Sequence, residues 1–271
     1  MQRITSAHNT RLREAARLIE SSRDRRKSGK CVLEGEHLVT VYAERIGAPE
    51  TLIVCEDALD RPGTKALVER LPEASLVVPV ELFRHFASLP VGVGIVAVVT
   101  TPREAVRSGS DLCVLLDDLQ DPGNMGSILR SAAAAGVDRV LLSKRCVFAW
   151  SPKVLRAGQG AHFMLSIEEE VDLATWCRDY AQSGGRVVGA VAREGRSLFD
   201  TPLTGRIAIA IGNEGGGLSP QVDAALTVRV TIPMPGGIES LNAAAAAAIC
   251  LFECVRQRTG ASSPSDSSRV Q

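Results

Sequence analysis

No C-x-x-C pair occurs anywhere in this sequence, and its seven cysteines are an odd number spread along 271 residues. Only Cys250 and Cys254 stand close together, at helical i, i+4 spacing. The pattern excludes a disulfide framework and a zinc site, so no metal is expected and the thiols are expected reduced, mostly buried, in the cytoplasm. Long apolar runs are missing too. The longest, 91–99 and 243–252, fall short of the roughly 18–20 residues of a membrane span. Residues 1–6 lead into a basic stretch rather than an apolar one, so no secretory signal is expected there. Net charge is absent as well, but its distribution is uneven. Residues 1–30 hold nine Lys/Arg against three acids, a surplus of six that the rest of the chain balances.

What is present is the composition of a globular protein, 45% hydrophobic and 23% charged, long enough for one large or two ordinary domains. The basic start suggests a polyanionic partner, with Arg11, Arg23, Arg25, Arg26 and Lys27 as candidate contacts. The plain alternative is a solvated amphipathic helix. Residues 10–22 carry Leu12, Ala15, Ala16 and Ile19 at helical spacing, and 22–30 reads as a charged linker or helix end. Alternating strands and helices through residue 88 then build a first α/β unit of about a hundred residues. Glu34 is expected to cap or bridge locally, and His37 and His85 to be ordinary. Residues 92–97, Gly-Val-Gly-Ile-Val-Ala, spell a dinucleotide pattern. That fingerprint needs a helix to start inside it; here a β-branched run continues to Thr100, so the pattern is rejected and a nicotinamide-dependent oxidoreductase stands only as a third function class. Residues 101–110 are expected to be linker.

The second domain is expected over 111–258, with a disordered serine-rich tail over 259–271. Its first strand, 112–116, runs into Asp121-Pro122-Gly123-Asn124-Met125-Gly126, which is strong turn chemistry, and then a helix over 128–135. Arg130 would sit in that helix's first turn, where a cation opposes the macrodipole. Either it meets an anion or it is a solvent arginine. Helix 148–157, strand 163–167 with a structural His162 at its start, helix 172–183 and strand 187–191 follow.

The stretch 207–253 organises the rest. Ile207-Ala208-Ile209-Ala210-Ile211 is too apolar for a half-exposed strand and predicts a central one. It breaks into Gly212-Asn213-Glu214-Gly215-Gly216-Gly217, a loop that offers a ligand mostly bare backbone. A second strand, 228–232, breaks into Pro233-Met234-Pro235-Gly236-Gly237. Ser240 stands where an N-cap belongs, before the alanines 243–248 of a tightly packing helix. The plain alternative for either loop is that glycine serves turn geometry alone.

Three segments in order, Asp121 to Gly126 with Arg130, Ile211 to Ser219, and Ile232-Pro233-Met234 with Ser240-Leu241-Asn242, closely resemble the three motifs of the SpoU (TrmH-like) branch of the SPOUT methyltransferases. Ile4-Thr5-Ser6, Asn9 and Leu33-Glu34-Gly35 are similar to that family's small RNA substrate-binding domain. The resemblance implies an α/β fold with a parallel sheet and a C-terminal trefoil knot, preceded by the small α/β domain. It implies S-adenosyl-L-methionine as cofactor, held through Ile211, Gly212, Asn213, Ile232, Met234 and Leu241, and a homodimer through the knotted domain. It also implies methylation of a ribose 2′-hydroxyl, with Arg130 as catalytic arginine and Asn124, Glu214, Ser240 and Asn242 around it. An arginine keeps its proton near neutrality, so Arg130 is expected to clamp a phosphate and steady the developing alkoxide. Glu214 is left either accepting the proton or orienting Asn124. Large-subunit rRNA is the expected substrate. A tRNA enzyme and a non-catalytic ribosome-assembly factor are the alternatives. Six alanines after Asn242 depart from the family's branched and hydroxyl residues.

Overall fold

The computed structural model describes residues 1–86, 94–102 and 112–261. These form two compact units. The first holds the described residues up to 102 together with Phe148–Met164; the second holds 112–147 and those from Leu165 onward.

In the first unit, β1 (Gln2–Arg3) is followed by α1 (Thr10–Glu20) and α2 (Ser22–Ser28). Asn9 caps α1 by accepting the N–H groups of Arg11 and Leu12, and Leu12, Ala15 and Leu18 form its buried face. The expected charged linker is helical instead. Ser21 is extended, ends α1, and caps α2 by accepting the N–H of Asp24 at 3.1 Å. Then come β2 (Lys30–Glu34), α3 (Glu36–Arg45), β3 (Thr51–Cys55), α4 (Pro62–Arg70), β4 (Ser75–Val78), α5 (Val80–Phe86) and β5 (Ile95–Thr100). The sheet order is β1-β4-β3-β5-β2, with β5 antiparallel to both neighbours. Gly92 and Val93 lie outside the described residues, as do 103–110 of the expected linker; from Ile95 the β-branched run is an internal strand.

Phe148–Met164 completes this unit. Its helix α7 (Pro152–Gly158) starts later than expected, because Ser151 is extended and caps it at Val154 with proline in the first position. Tyr42 meets Phe163 edge-on at 5.4 Å, and the Arg26 guanidinium lies 4.3 Å above the Phe148 ring. Arg156 on α7 ion-pairs with Glu34, whose side chain is 2% exposed. Burial pushes the Glu34 carboxyl up and the neighbouring Arg156 pulls it back. Removing one partner leaves an uncompensated buried charge. Arg156→Met is therefore expected to destabilise the unit by about 3 kcal/mol in urea unfolding, and the double variant with Glu34→Gln to recover part of the loss.

The expected strand 163–167 is displaced: Ala161–Phe163 is a tight 3₁₀ turn and the strand begins at Ser166. His162 in that turn is buried, its Nε2–H donating to the Ala149 carbonyl at 2.9 Å, and burial lowers its pKa from 6.5 to about 4. The unfolded chain thus binds a proton at higher pH than the folded one. Stability is full above pH 6.5 and lost as pH falls towards 4, by up to about 3 kcal/mol. His162→Gln should flatten that acid limb when urea midpoints at pH 7 and 4.5 are compared.

The second unit runs β6 (Leu112–Leu116), α6 (Pro122–Ala134), β7 (Arg139–Ser143), β8 (Ser166–Val171), α8 (Leu173–Gln182), β9 (Arg186–Ala190), β10 (Arg196–Ser197), β11 (Ile207–Ile211), α9 (Pro220–Asp223), β12 (Val228–Thr231) and α10 (Ala243–Ala261). Its sheet, ordered β10-β12-β9-β11-β6-β7-β8, is parallel throughout. β11 is central and buried at every residue, in register with β6 (Ile207 opposite Leu112) and with β9. Two parallel neighbours and covered faces are what its unbroken apolar run requires. Parallel strands also bring their C-terminal ends to one edge, so the loops after β6, β9, β11 and β12 gather there. Helix α10 packs on α6 and β11. It includes Thr259 to Ala261, where the tail was expected to begin; 262–271 lie outside the described residues.

Candidate active site

At the C-terminal edge of the second unit, the three motif segments meet. Asp121 caps α6, its Oδ1 accepting the Asn124 N–H at 2.7 Å, and Pro122 takes the first helical position. The helix therefore starts six residues before the expected 128. That moves Arg130 from the expected first turn to the third, on an exposed stripe with Gly123 and Ser127. The objection from the helix macrodipole lapses there, since that effect fades beyond the first turn.

Asn124, in the first turn, donates from Nδ2 to Glu214 Oε1 at 3.1 Å. The same carboxylate accepts the backbone N–H groups of Asp121 at 3.1 Å and Gln120 at 3.3 Å. Partial burial works against the charge, but these donors outweigh it and hold Glu214 below the usual carboxylate range. Asn242 donates from Nδ2 to Asn124 Oδ1 at 2.8 Å, and its own Oδ1 accepts the N–H groups of Ala244 and Ala245. So Asn242, not Ser240, caps α10. Ser240 lies too far before the helix to reach those N–H groups. The result is a chain of hydrogen bonds, Asn242 to Asn124 to Glu214, that ties one segment of each motif to the next.

Beside this chain opens a cleft of about 480 Å³. Ile211, Gly212, Asn213, Ile232, Met234 and Leu241, the six residues expected at the cofactor, all line it, together with Glu214 and Ser240. Arg130, Asn124 and Asn242 do not. Asn213 shapes the loop: its Oδ1 accepts the N–H groups of Gly215 and Gly216 at 2.9 Å each, and its Nδ2 donates to the Asp118 carbonyl at 2.8 Å. Asn213 and Gly217 exchange backbone hydrogen bonds at 2.8 and 3.0 Å, folding the glycines back on Gly212. A Cβ on Gly212 would stand 2.1 Å from the Gly217 carbonyl carbon. The cleft thus presents bare backbone donors and acceptors beside branched and thioether side chains, within the usual size range of a cofactor site. An adenosine fits such a lining, its base against apolar faces and its polar edges against the main chain.

Sequence reasoning passed over Asp117, Arg193 and Glu239. Asp117 is buried and its Oδ2 accepts the Ser219 N–H at 2.8 Å, tying the end of β6 to the glycine loop. Nothing in the adjacent Asp117-Asp118 pair distinguishes it. Arg193 and Glu239 line the cleft from different loops and lie outside the motif cores.

In the first unit, Arg11 and Arg25 of the five expected RNA contacts hydrogen-bond to the fold itself, and Arg26 lies over Phe148. Arg11 donates to Thr51 Oγ1 and to the carbonyls of Glu50 and Ala74, at 3.0 to 3.2 Å. Arg25 is buried and donates to the carbonyls of Leu18 and Ile19 at the end of α1. Arg25 reaches the last carbonyls of α1, and Arg11 adds a second donor to the Ala74 carbonyl, which also accepts the Leu52 N–H at 2.9 Å. Arg23, Arg26 and Lys27 are exposed.

The chain is similar to an uncharacterized tRNA/rRNA methyltransferase of Synechocystis, 32% identical over 96% of each chain. It is 27% identical to the 23S rRNA (guanosine(2553)-2′-O)-methyltransferase RlmP of Bacillus subtilis, over 93% of this chain and 98% of that one. The crystal structure of the SpoU methyltransferase AviRb from Streptomyces viridochromogenes in complex with the cofactor AdoMet superposes with a TM-score of 0.81, at 26% identity, covering 93% of this chain and all of that one. Residues 111–252 match the model of the SpoU rRNA Methylase family. The chain belongs to that family, an S-adenosylmethionine-dependent RNA 2′-O-ribose methyltransferase.

Proposed function

We propose that the substrate is large-subunit ribosomal RNA and that the cleft beside Gly212 holds the cofactor. The observation that carries the site is the chain Asn242–Asn124–Glu214, which joins three separate motif segments and reaches the cleft at Glu214. The preference for rRNA is supported by likeness to rRNA methyltransferases that extends over the first unit as well as the second.

Bound in the cleft, S-adenosylmethionine would supply a sulfonium methyl for attack by a ribose 2′-oxygen, leaving as S-adenosylhomocysteine while the hydroxyl proton passes to solvent. The rest is largely positioning. Ile211, Ile232, Met234 and Leu241 would flank the adenosine, and Gly212 would let it approach the main chain closely. Glu214, held anionic by the donors around it, is a weak base. Its role is to orient Asn124, which Asn242 fixes from the other side. Ser240 lines the cleft and would offer its hydroxyl to the incoming ribose. Arg130 makes no hydrogen bond or ion pair among the described residues, leaving its fork free for a phosphate next to the target ribose. Arg23, Arg26 and Lys27 supply a further cationic face for RNA.

A trefoil knot is supported by the strand order: β12 lies outside β9, yet the helix that follows it packs on α6 and β11. A homodimer through the same domain is supported by exposed Phe252, flanked on α10 by Ala245 and Ile249. The cysteines, with thiols pushed up by burial, fit the reducing cytoplasm.

The test is transfer of labelled methyl from S-adenosylmethionine to unmodified rRNA and, separately, unmodified tRNA. Label confined to rRNA at a mapped 2′-O-methyl supports the reading. Label in tRNA alone keeps the chemistry and overturns the substrate.

A further inference from the structure

The cleft has a charged rim that none of the three motifs includes. Arg193 follows β9, and Glu239 lies in the loop between β12 and α10. Both line the cleft, and Arg193 Nη2 stands 3.2 Å from Glu239 Oε1. Their side chains are 73% and 86% exposed, so the pair contributes little to stability. The third charged residue of the lining, Glu214, is already engaged by Asn124 and two backbone N–H groups. Arg193 and Glu239 are therefore the charges at this cleft, among the described residues, that a ligand can recruit without dismantling anything else.

An adenosyl amino acid brings matching charges. Its adenosine suits the apolar and main-chain floor. Its amino-acid end carries a carboxylate and an ammonium on one carbon, which that floor cannot neutralise. We propose that Arg193 and Glu239 read the amino-acid end of the cofactor, Arg193 taking the carboxylate and Glu239 the ammonium. In the free protein the two side chains satisfy each other. On binding they exchange one exposed ion pair for two charge-assisted contacts. The pair sets specificity for ligands with the intact amino acid and has no part in the methyl transfer itself. The proposal rests on the cleft being the cofactor site.

The experiment is calorimetric titration of the full chain with S-adenosylhomocysteine and with 5′-methylthioadenosine. The two share adenosine and thioether and differ by the amino-acid end. Arg193→Met is expected to weaken S-adenosylhomocysteine roughly tenfold or more and to leave methylthioadenosine within about twofold. Glu239→Gln should act in the same direction. Equal loss for both ligands would make the pair a general latch on the cleft and overturn the proposal. No loss for either would make it an ordinary surface pair and overturn the proposal as well. Ala246→Leu, which fills the cleft from α10, should weaken both ligands. If it binds both as the wild type does, the cleft assignment itself fails, whatever Arg193 does. Unchanged unfolding midpoints establish that the exposed variants are folded.

Discussion

Arg130→Ala is expected to lower methyl transfer to RNA by about 10²–10³-fold, the range seen when one preorganised donor to a developing oxyanion is removed. Cofactor affinity should not change, because Arg130 does not line the cleft. Stability should move by no more than about 0.5 kcal/mol, since the side chain is exposed and bonded to nothing among the described residues. Few surface arginines combine such small structural consequence with so large an expected loss. Arg130→Lys separates two roles. A lysine keeps the charge but loses the planar fork, so a clamp on phosphate oxygens predicts partial activity with weakened RNA binding. Full activity in Arg130→Lys would count against the fork. Calorimetric binding of S-adenosylhomocysteine beside single-turnover methylation distinguishes these outcomes.

Gly212→Ala is expected to weaken cofactor binding by about 10–100-fold, the equivalent of 1–3 kcal/mol of overpacking strain. The added Cβ meets backbone, the Gly217 carbonyl carbon at 2.1 Å and the Leu218 nitrogen at 2.3 Å, so no rotamer change relieves it. Relief requires opening the Asn213–Gly217 bridge that shapes the loop. Gly215→Ala is the control. Its Cβ meets nothing nearer than Asn213 Oδ1 at 3.8 Å, although Gly215 also lines the cleft. It should bind the cofactor nearly as well as wild type. Equal tolerance of both substitutions would remove the tight turn at Gly212 from the account of the site.

Much of the site was legible in the sequence. The six residues that the resemblance places at the cofactor line one cleft, and Glu214 and Ser240 join them. What went unread was the choice between side chains of the same type, which packing and the exact helix starts decide. Arg25 looks like its basic neighbours on α2, and only the carbonyls of Leu18 and Ile19 and the Phe148 ring take it out of the solvent. Ser240 and Asn242 are equally good capping residues by type; the start of α10 at Ala243 chooses Asn242. Arg130 was placed two turns early because Asp121-Pro122 reads as a turn, when it is the cap and first position of the helix.

By itself the sequence determined the α/β class, the central strand Ile207–Ile211, the two glycine loops and the motif residues. The class, the strand and the loops follow from local periodicity, backbone freedom and residue type, which need no distant partner; the motif residues came from the resemblance of three ordered segments to the SpoU branch. Tertiary structure alone decided that Phe148–Met164 joins the first unit, through Arg156 and the buried Glu34. It also decided that Glu214 is anchored by donors 90 or more residues away, and that Arg193 faces Glu239 across the cleft. The physical reason is the same in each case. A charge's role is fixed by what desolvates it and what donates to it, and folding brings those groups together from segments far apart along the chain.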